Sequence, residues 1–331
     1  MSRLRVRRST TVVCAALALL LAACAGGEDD GAAPEAGGDG AAQAPEEDLA
    51  VFVASYDVAV GDAQRLLAGV LTADATQVAF GEVDFAVGPL GDEGTVEPHD
   101  TATATFLPVL GLEPEGDGDQ PRLLVGEPGR GVYEATVSLD EPGTWGIQVT
   151  AELEDGTTRT GVGTFEVGEE QQILAVGDEA PRTENLTIAD VESGEATPVS
   201  VDSRAQGEDD EIPDPEMHDL TIAEALDTGD PLVVVVATPT YCRTAFCGPL
   251  TEEMGDLARE YEGRANVVHL EVWKDFDDAE LNAAAAEWIQ PPAGDGNEPW
   301  VFLIDGDGIV QGRWDNVVDR TALLEGLDAL V

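Results

Sequence analysis

Six consecutive aliphatic residues, Leu232 to Ala237, stand between Pro231 and Thr238 with no polar residue among them. A strand with one wet face alternates, whereas an uninterrupted apolar run is expected of a strand buried on both faces. Such a strand needs a layer on each side, and the downstream sequence supplies candidates. Leu250, Met254, Leu257, Ala258 and Tyr261 recur at helical spacing, and Asn266–Trp273 is a second β-rich run. Asp278 is expected to cap a helix whose apolar face is Leu281, Ala285, Trp288 and Ile289. Pro299–Ile304 and Ile309–Trp314 flank Asp305-Gly306-Asp307-Gly308, a hairpin turn signal. Asp319 is expected to cap a last helix bearing Leu323, Leu327 and Leu330. The order β-α-β-α-β-β-α makes residues 169–331 an α/β domain.

Residues 47–168 read differently. Short runs recur between turn residues: Leu49–Tyr56, Gln64–Thr72, Gln77–Val87, Thr101–Leu110, Gly131–Ser138, Gly143–Leu153 and Thr158–Val167. In Gly131–Ser138, Tyr133, Ala135 and Val137 oppose Val132, Glu134, Thr136 and Ser138. About seven short antiparallel strands predict an all-β domain of the sandwich type. The stretch from Gly131-Val132-Tyr133 to Gly143-Thr144-Trp145 resembles the paired strands of small immunoglobulin-like exported domains. The residues support a binding or spacer role here and no chemistry. His99, in a loop rich in Gly, Pro and Glu, reads as solvated.

Arg3, Arg5, Arg7 and Arg8 precede an apolar run from Val12 to Ala23, too short for an ordinary membrane span. The run ends in Leu21-Ala22-Ala23-Cys24, which resembles the bacterial lipoprotein box. The resemblance implies a signal peptide over 1–23, lipidation of Cys24, and a chain anchored to the cell membrane on its extracytoplasmic side. Thr10 and Thr11 stand where a twin-arginine signal needs bulky apolar residues, so general secretion is the expected route. Residues 24–46 are mostly Gly, Ala, Pro, Glu and Asp and read as a flexible acidic linker, spanning about 25 Å as a random chain.

The chain has 331 residues with 16 Lys+Arg against 67 Asp+Glu, a formal charge of −51. Nucleic acid and an anionic membrane surface are excluded as partners, because phosphate recognition needs clustered cations. Four cysteines are too few for a disulfide-rich scaffold. Outside the cytoplasm a disulfide can persist, which directs attention to the two cysteines of the α/β domain.

They stand in Thr238-Pro239-Thr240-Tyr241-Cys242-Arg243-Thr244-Ala245-Phe246-Cys247-Gly248-Pro249, immediately after the buried strand. A strand, a cysteine pair, a helix and then Glu298-Pro299-Trp300 opening a hairpin resemble the thioredoxin-like superfamily, and Val176-Gly177-Asp178-Glu179-Ala180-Pro181 resembles the lead-in of its membrane-anchored members. The resemblance implies that Cys242 is the attacking cysteine and that Pro299 is the cis-proline facing it. It also implies that Glu298, Pro299 and Trp300 meet the substrate chain, with the Glu298 backbone offering hydrogen bonds. Cys247 would be the resolving thiol, and Arg243 a cation favouring the Cys242 thiolate. The expected function is thiol–disulfide exchange with exported proteins or a membrane electron donor, with no cofactor and no resident metal.

The family's usual gap between the cysteines is two residues, and here it is four. In a regular α-helix two residues five apart have Cα atoms roughly 8.5 Å apart, beyond the ~7 Å a disulfide bridges. Two arrangements remain. The helix begins near Gly248, with Cys247 at its N-terminal end and Cys242 in the preceding loop, or it begins at Cys242 and unwinds on oxidation. The second resembles the atypical peroxiredoxins and their thiol peroxidase activity. Pro239 replaces their usual Thr, however, and neither Arg313 nor Arg320 clearly takes the place of their catalytic Arg. Other readings are a static structural disulfide in a scaffold lipoprotein, or a Cu(I) carrier using the two thiolates with His218 or His269. Asp305–Gly308 is a turn rather than a calcium loop, Asp275, Asp277 and Asp278 end a strand and cap a helix, and residues 204–216 read as an acidic surface insertion.

Overall fold

The computed structural model describes residues 47–331 apart from 92–93, 128, 245 and 293–295. The expected signal peptide, the lipidation site Cys24 and the linker lie outside the described residues. Among those described, no helix is long and apolar enough to cross a membrane.

The first half of the described chain is all β. Its strands are β1 (Glu47–Val53), β2 (Gly61–Thr72), β3 (Val78–Ala79), β4 (Glu82–Pro89), β5 (Asp100–Pro108), β6 (Arg122–Leu123), β7 (Gly131–Leu139), β8 (Gly143–Glu152) and β9 (Thr158–Val167). The seven expected runs are all present. They do not form the two facing sheets of a sandwich. Seven strands join in the order β1-β2-β7-β5-β4-β8-β9 and close into one barrel. The closure is made by β1, antiparallel to β2 on one side and parallel to β9 on the other, with Leu49 opposite Gly161 and Ala50 opposite Val162. Alternation along a strand assigns inner and outer faces but does not say whether a sheet folds over or closes, so it could not separate these architectures. The run Gln77–Val87 is split between β3 and β4 because Phe80 and Gly81 both adopt positive φ (67° and 56°). A Cβ on Gly81 would lie 2.6 Å from the Gln120 backbone, so only glycine fits that corner.

Inward residues of alternate positions fill the barrel, including Phe85, Tyr133, Ala135, Val137, Trp145 and Ile147. The Tyr133 hydroxyl satisfies itself on the Phe80 carbonyl at 2.8 Å. Val132 points outward and is nevertheless buried, because Val317 from the second half packs on it together with Leu67 and Val109.

The second half begins with two short helices, α1 (Ile188–Ser193) and α2 (Pro198–Val201), a 3-10 turn at Pro215–Met217, and α3 (Ile222–Asp227). Strands β10 (Leu232–Ala237) and β11 (Asn266–Glu271) follow on either side of α4 (Cys247–Glu260). A small hairpin of β12 (Trp273–Asp275) and β13 (Glu280–Leu281) leads to α5 (Ala283–Ile289). The chain then makes β14 (Trp300–Ile304), β15 (Val310–Asp315) and α6 (Arg320–Asp328). The sheet order is β11-β10-β14-β15, with β10 parallel to β11 and antiparallel to β14. As its composition requires, every residue of β10 is buried. Val233 and Val235 meet Leu250, Met254 and Leu257 of α4 and Leu323 and Leu327 of α6. Leu232, Val234 and Val236 meet Ile222 of α3 and Trp288 and Ile289 of α5 on the opposite face.

Two helix caps differ in outcome. The Asp319 carboxylate accepts from the Thr321 and Ala322 amides at 2.9 and 3.1 Å and caps α6 as expected. Asp278 caps nothing. Asn282 is the N-cap of α5, and Leu281 lies exposed in β13. The Asp275 side chain takes the Asp278 amide instead and makes a turn. The Asp305 carboxylate likewise accepts from Asp307 and Ile309 and closes the hairpin turn. Of the expected surface insertion, Glu208–Glu211 is exposed, but the segment's flanks, Asp202 and Met217–His218, are fully buried.

The described residues form one compact unit. Polar fasteners join the barrel to the sheet. Arg65 bonds the Asp315 carboxylate at 3.0 Å and the Val317 carbonyl at 2.6 Å. Arg313 bonds Asp57 at 2.8 Å, and both side chains are nearly buried.

Candidate functional site

Cys242 and Cys247 are joined in a disulfide with Cα atoms 6.0 Å apart. The first of the two expected arrangements holds: α4 starts at Cys247, and Cys242 lies in the loop before it. The Cys242 amide donates to the Thr238 carbonyl at 3.1 Å, which ties the loop to the end of β10. Leu250, one turn on, anchors the helix in the core, and the Thr251 hydroxyl bonds the Cys247 carbonyl at 2.8 Å.

The two sulfurs differ in access. Cys247 is 0% exposed within the α4 core, whereas Cys242 is half-buried and reaches the surface. The Thr244 hydroxyl lies 3.1 Å from the Cys242 sulfur. Cys247 also opens the first turn of a helix of 14 residues. Opposite the pair lies the Glu298–Pro299 loop, whose peptide bond is cis. A carboxylate oxygen of Glu298 and the two sulfurs all lie within 4.8 Å of one another. Burial pushes the Glu298 carboxyl above its usual pKa, against the smaller opposing effects of a backbone hydrogen bond and of the Arg243 charge. Arg243 is exposed, and with Glu298 it borders a cavity of about 580 Å³ whose apolar wall includes Trp273, Leu281 and Ile289. Beyond Trp273, Tyr241 stacks flat on Phe276 with ring centroids 4.1 Å apart.

Trp300 adjoins the site from within. It is 1% exposed, stacks on Phe302 and lies beneath the Arg313 guanidinium, so its ring belongs to the core. Arg313 is held by Asp57, and Arg320 by Glu253.

The barrel also reaches the site, which nothing in its sequence signalled. The Tyr56 hydroxyl donates to the Glu298 carbonyl at 3.0 Å, and its ring packs on Trp300. The loop after β5 seats Leu110 in the same core as Cys247 and Leu250. Gly111, with φ of 72°, allows this approach: a Cβ there would come within 2.8 Å of the Pro249 side chain. Phe246, between the cysteines, packs in turn against the cluster of Leu67, Val109, Val132 and Val317.

A second polar cluster lies on the α4 side of the sheet. Asp202, His218 and His269 are all at most 1% exposed. His218 Nε2 and His269 Nδ1 stand 3.3 and 3.6 Å from one oxygen of Asp202. Arg204 grips the same carboxylate and also bonds Asp214 at 2.8 Å. Burial opposes ionisation of Asp202, but His218, His269 and Arg204 outweigh it and hold the carboxyl well below the usual range. Burial pushes His269 down to about 4. The two histidines were visible in the sequence as candidate ligands. Asp202 was not, because a lone Asp after a short apolar run carries no local signal.

No protein-family model matches the chain, and no curated protein does. Among solved structures, a match is to the crystal structure of MtrC from Shewanella baltica OS185, at 14% identity and a TM-score of 0.22. It covers 40% of this chain and 24% of that one, so the chain spans about a quarter of the length of the protein it matches.

Proposed function

We propose that the chain is an extracytoplasmic thiol–disulfide oxidoreductase with a thioredoxin-like C-terminal half, tethered through a lipid on Cys24. The observation that carries this reading is the asymmetry of the disulfide. One cysteine is half-buried, next to the cavity-lining Arg243 and Thr244 and close to the Glu298 carboxyl, and the other is sealed at a helix start.

That asymmetry supports the following roles. In the reduced protein the Cys242 thiolate attacks a partner disulfide. A Cys242–partner bond forms, and the partner's other sulfur leaves as a thiolate and takes a proton. The Cys247 thiolate then attacks the Cys242 sulfur, releasing the second partner thiolate and re-forming Cys242–Cys247. The partner gains two electrons and this chain loses two. Run in reverse, a partner dithiol is oxidised. Glu298, with its carboxyl beside both sulfurs, is placed to exchange a proton with whichever thiol is released. The partners in this reading are exported proteins or a membrane electron donor carrying thiols or disulfides.

The test is reduction of a model protein disulfide by the pre-reduced chain, with Cys247→Ser used to trap the mixed disulfide on Cys242. Turnover lost in Cys242→Ser and a trapped adduct support the reading. A wild-type chain without turnover, or activity unchanged in Cys242→Ser, ends it. Mass measurement of the membrane-extracted chain tests the anchor separately: a diacylglyceryl mass on a chain beginning at Cys24 is expected.

A further inference from the structure

We propose that Asp202, His218 and His269 supply three donors of a buried site for a zinc-class divalent metal ion, the fourth position being taken by a water carried in with the ion, separate from the cysteine pair. The three residues come from distant parts of the chain. Asp202 follows α2, His218 follows the 3-10 turn, and His269 sits mid-strand in β11. Folding brings one donor atom from each within 4.8 Å of the others in a place closed to bulk water.

The hydrogen-bond ledger of the two imidazoles requires an explanation. Neither ring nitrogen of His218 has a hydrogen-bond partner, nor does Nδ1 of His269, although all three atoms are buried. Buried side-chain polar atoms in native proteins have a partner in the large majority of cases, and three of the nine unpartnered ones among the described residues sit on these two adjacent rings. His269 narrows the choice further. Its Nε2 lies 3.1 Å from the Ala237 carbonyl oxygen, which can only accept, so Nε2 carries the hydrogen. In the neutral ring Nδ1 then presents a lone pair towards the Asp202 carboxylate, 3.6 Å away. Two electron-rich atoms face each other, and a cation between them resolves the conflict.

The two imidazole-to-carboxylate separations fit such an ion. Two donors each about 2.0–2.1 Å from a tetrahedral zinc ion are roughly 3.3 Å apart, against observed separations of 3.3 and 3.6 Å. Two imidazoles and one carboxylate are a zinc donor set rather than a soft Cu(I) one. The outer contacts have the form found around metal ligands. The Ala237 carbonyl fixes the His269 tautomer, and Arg204 orients the carboxylate while Asp214 balances its charge. Because all three ligands are buried, the ion would enter as the segment from Asp202 to His218 closes over β11, and its binding would be coupled to folding. It would lock the chain around Ser203, whose carbonyl and hydroxyl hold Thr240 just before Cys242.

The experiment uses the oxidised full chain, in which the disulfide withholds both thiolates. Metal is stripped by chelator in denaturant, and the chain is refolded with and without zinc or cobalt(II). One zinc retained per chain through gel filtration, a melting temperature several degrees higher with metal, and a cobalt(II) spectrum of tetrahedral type without sulfur charge transfer are expected. His218→Gln is expected to lose the metal. If that variant fails to fold, the cobalt spectrum of the parent chain decides. No retained metal with identical melting in both preparations overturns the proposal. So do nitrogen-15 spectra showing either imidazole doubly protonated in the folded chain.

Discussion

The Tyr56 hydroxyl donates a 3.0 Å hydrogen bond to the backbone carbonyl of Glu298, across the seam between barrel and sheet. A residue just past the first barrel strand thus fixes the loop that faces the disulfide. Replacing Tyr56 with Phe keeps the ring against Trp300 and removes only this bond. A loss of about 1 kcal/mol in unfolding free energy is expected, read from the denaturant midpoint of the oxidised chain, with the disulfide intact.

Asp57 makes a stronger fastener. It accepts Arg313 at 2.8 Å and the amides of Gln172 and Ile173 at 2.9 and 3.1 Å. Truncation to Ala leaves a nearly buried guanidinium with only the Ile173 and Leu174 carbonyls and no countercharge, and frees the Ile173 amide, so a loss of about 3 kcal/mol is expected. Arg313→Met, which removes the charge along with its partner's role, is expected to cost less than Asp57→Ala in the same denaturant series.

Glu298 makes stability depend on pH. Below the ordinary carboxylate range both folded and unfolded chains hold its proton. Above it the unfolded chain releases the proton first, because burial raises the folded-state value. The folded chain then binds more protons, so this group's contribution falls as pH rises through that window. Glu298→Gln removes the effect. The difference in melting temperature between the Gln variant and wild type is therefore expected to be smallest in acid and to grow towards neutral pH. A flat difference would mean that the carboxyl is solvated.

The two thiols should also separate by reagent. In the gently reduced, folded chain a small alkylating agent is expected to modify Cys242 ahead of Cys247, since only the former reaches solvent. Peptide mapping of partly modified protein gives the order, and the reverse order would contradict the assignment of roles.

Local pattern made much of this architecture legible. The apolar run of β10, the spacing of Leu250, Met254 and Leu257, and the Asp319 cap each depend on residues close in sequence, and each element formed where expected. Barrel closure was not legible, because the β1–β9 contact joins the ends of a segment more than a hundred residues long. The α5 start moved from Asp278 to Asn282 because a turn and a small hairpin compete for the same acidic residues. At the site, the cysteines and the proline stood out as residue types with few alternative uses. The Glu298 carboxyl, Tyr56, Gly111 and Asp202 did not, since their roles exist only once distant segments meet.

The seating of Leu110 and Gly111 on the first turn of α4 has an implication for anyone dividing this chain. A piece starting after the barrel would carry both sulfurs but would bare the apolar ground around Pro249, Phe246 and Val317 that the barrel now shelters. Its redox behaviour would be that of a wounded surface, prone to self-association, and potentials or rates measured on it would not transfer to the intact protein. By the same token, a substitution at Leu110 or Gly111 in the loop after β5 acts directly on the packing of the helix start that carries Cys247.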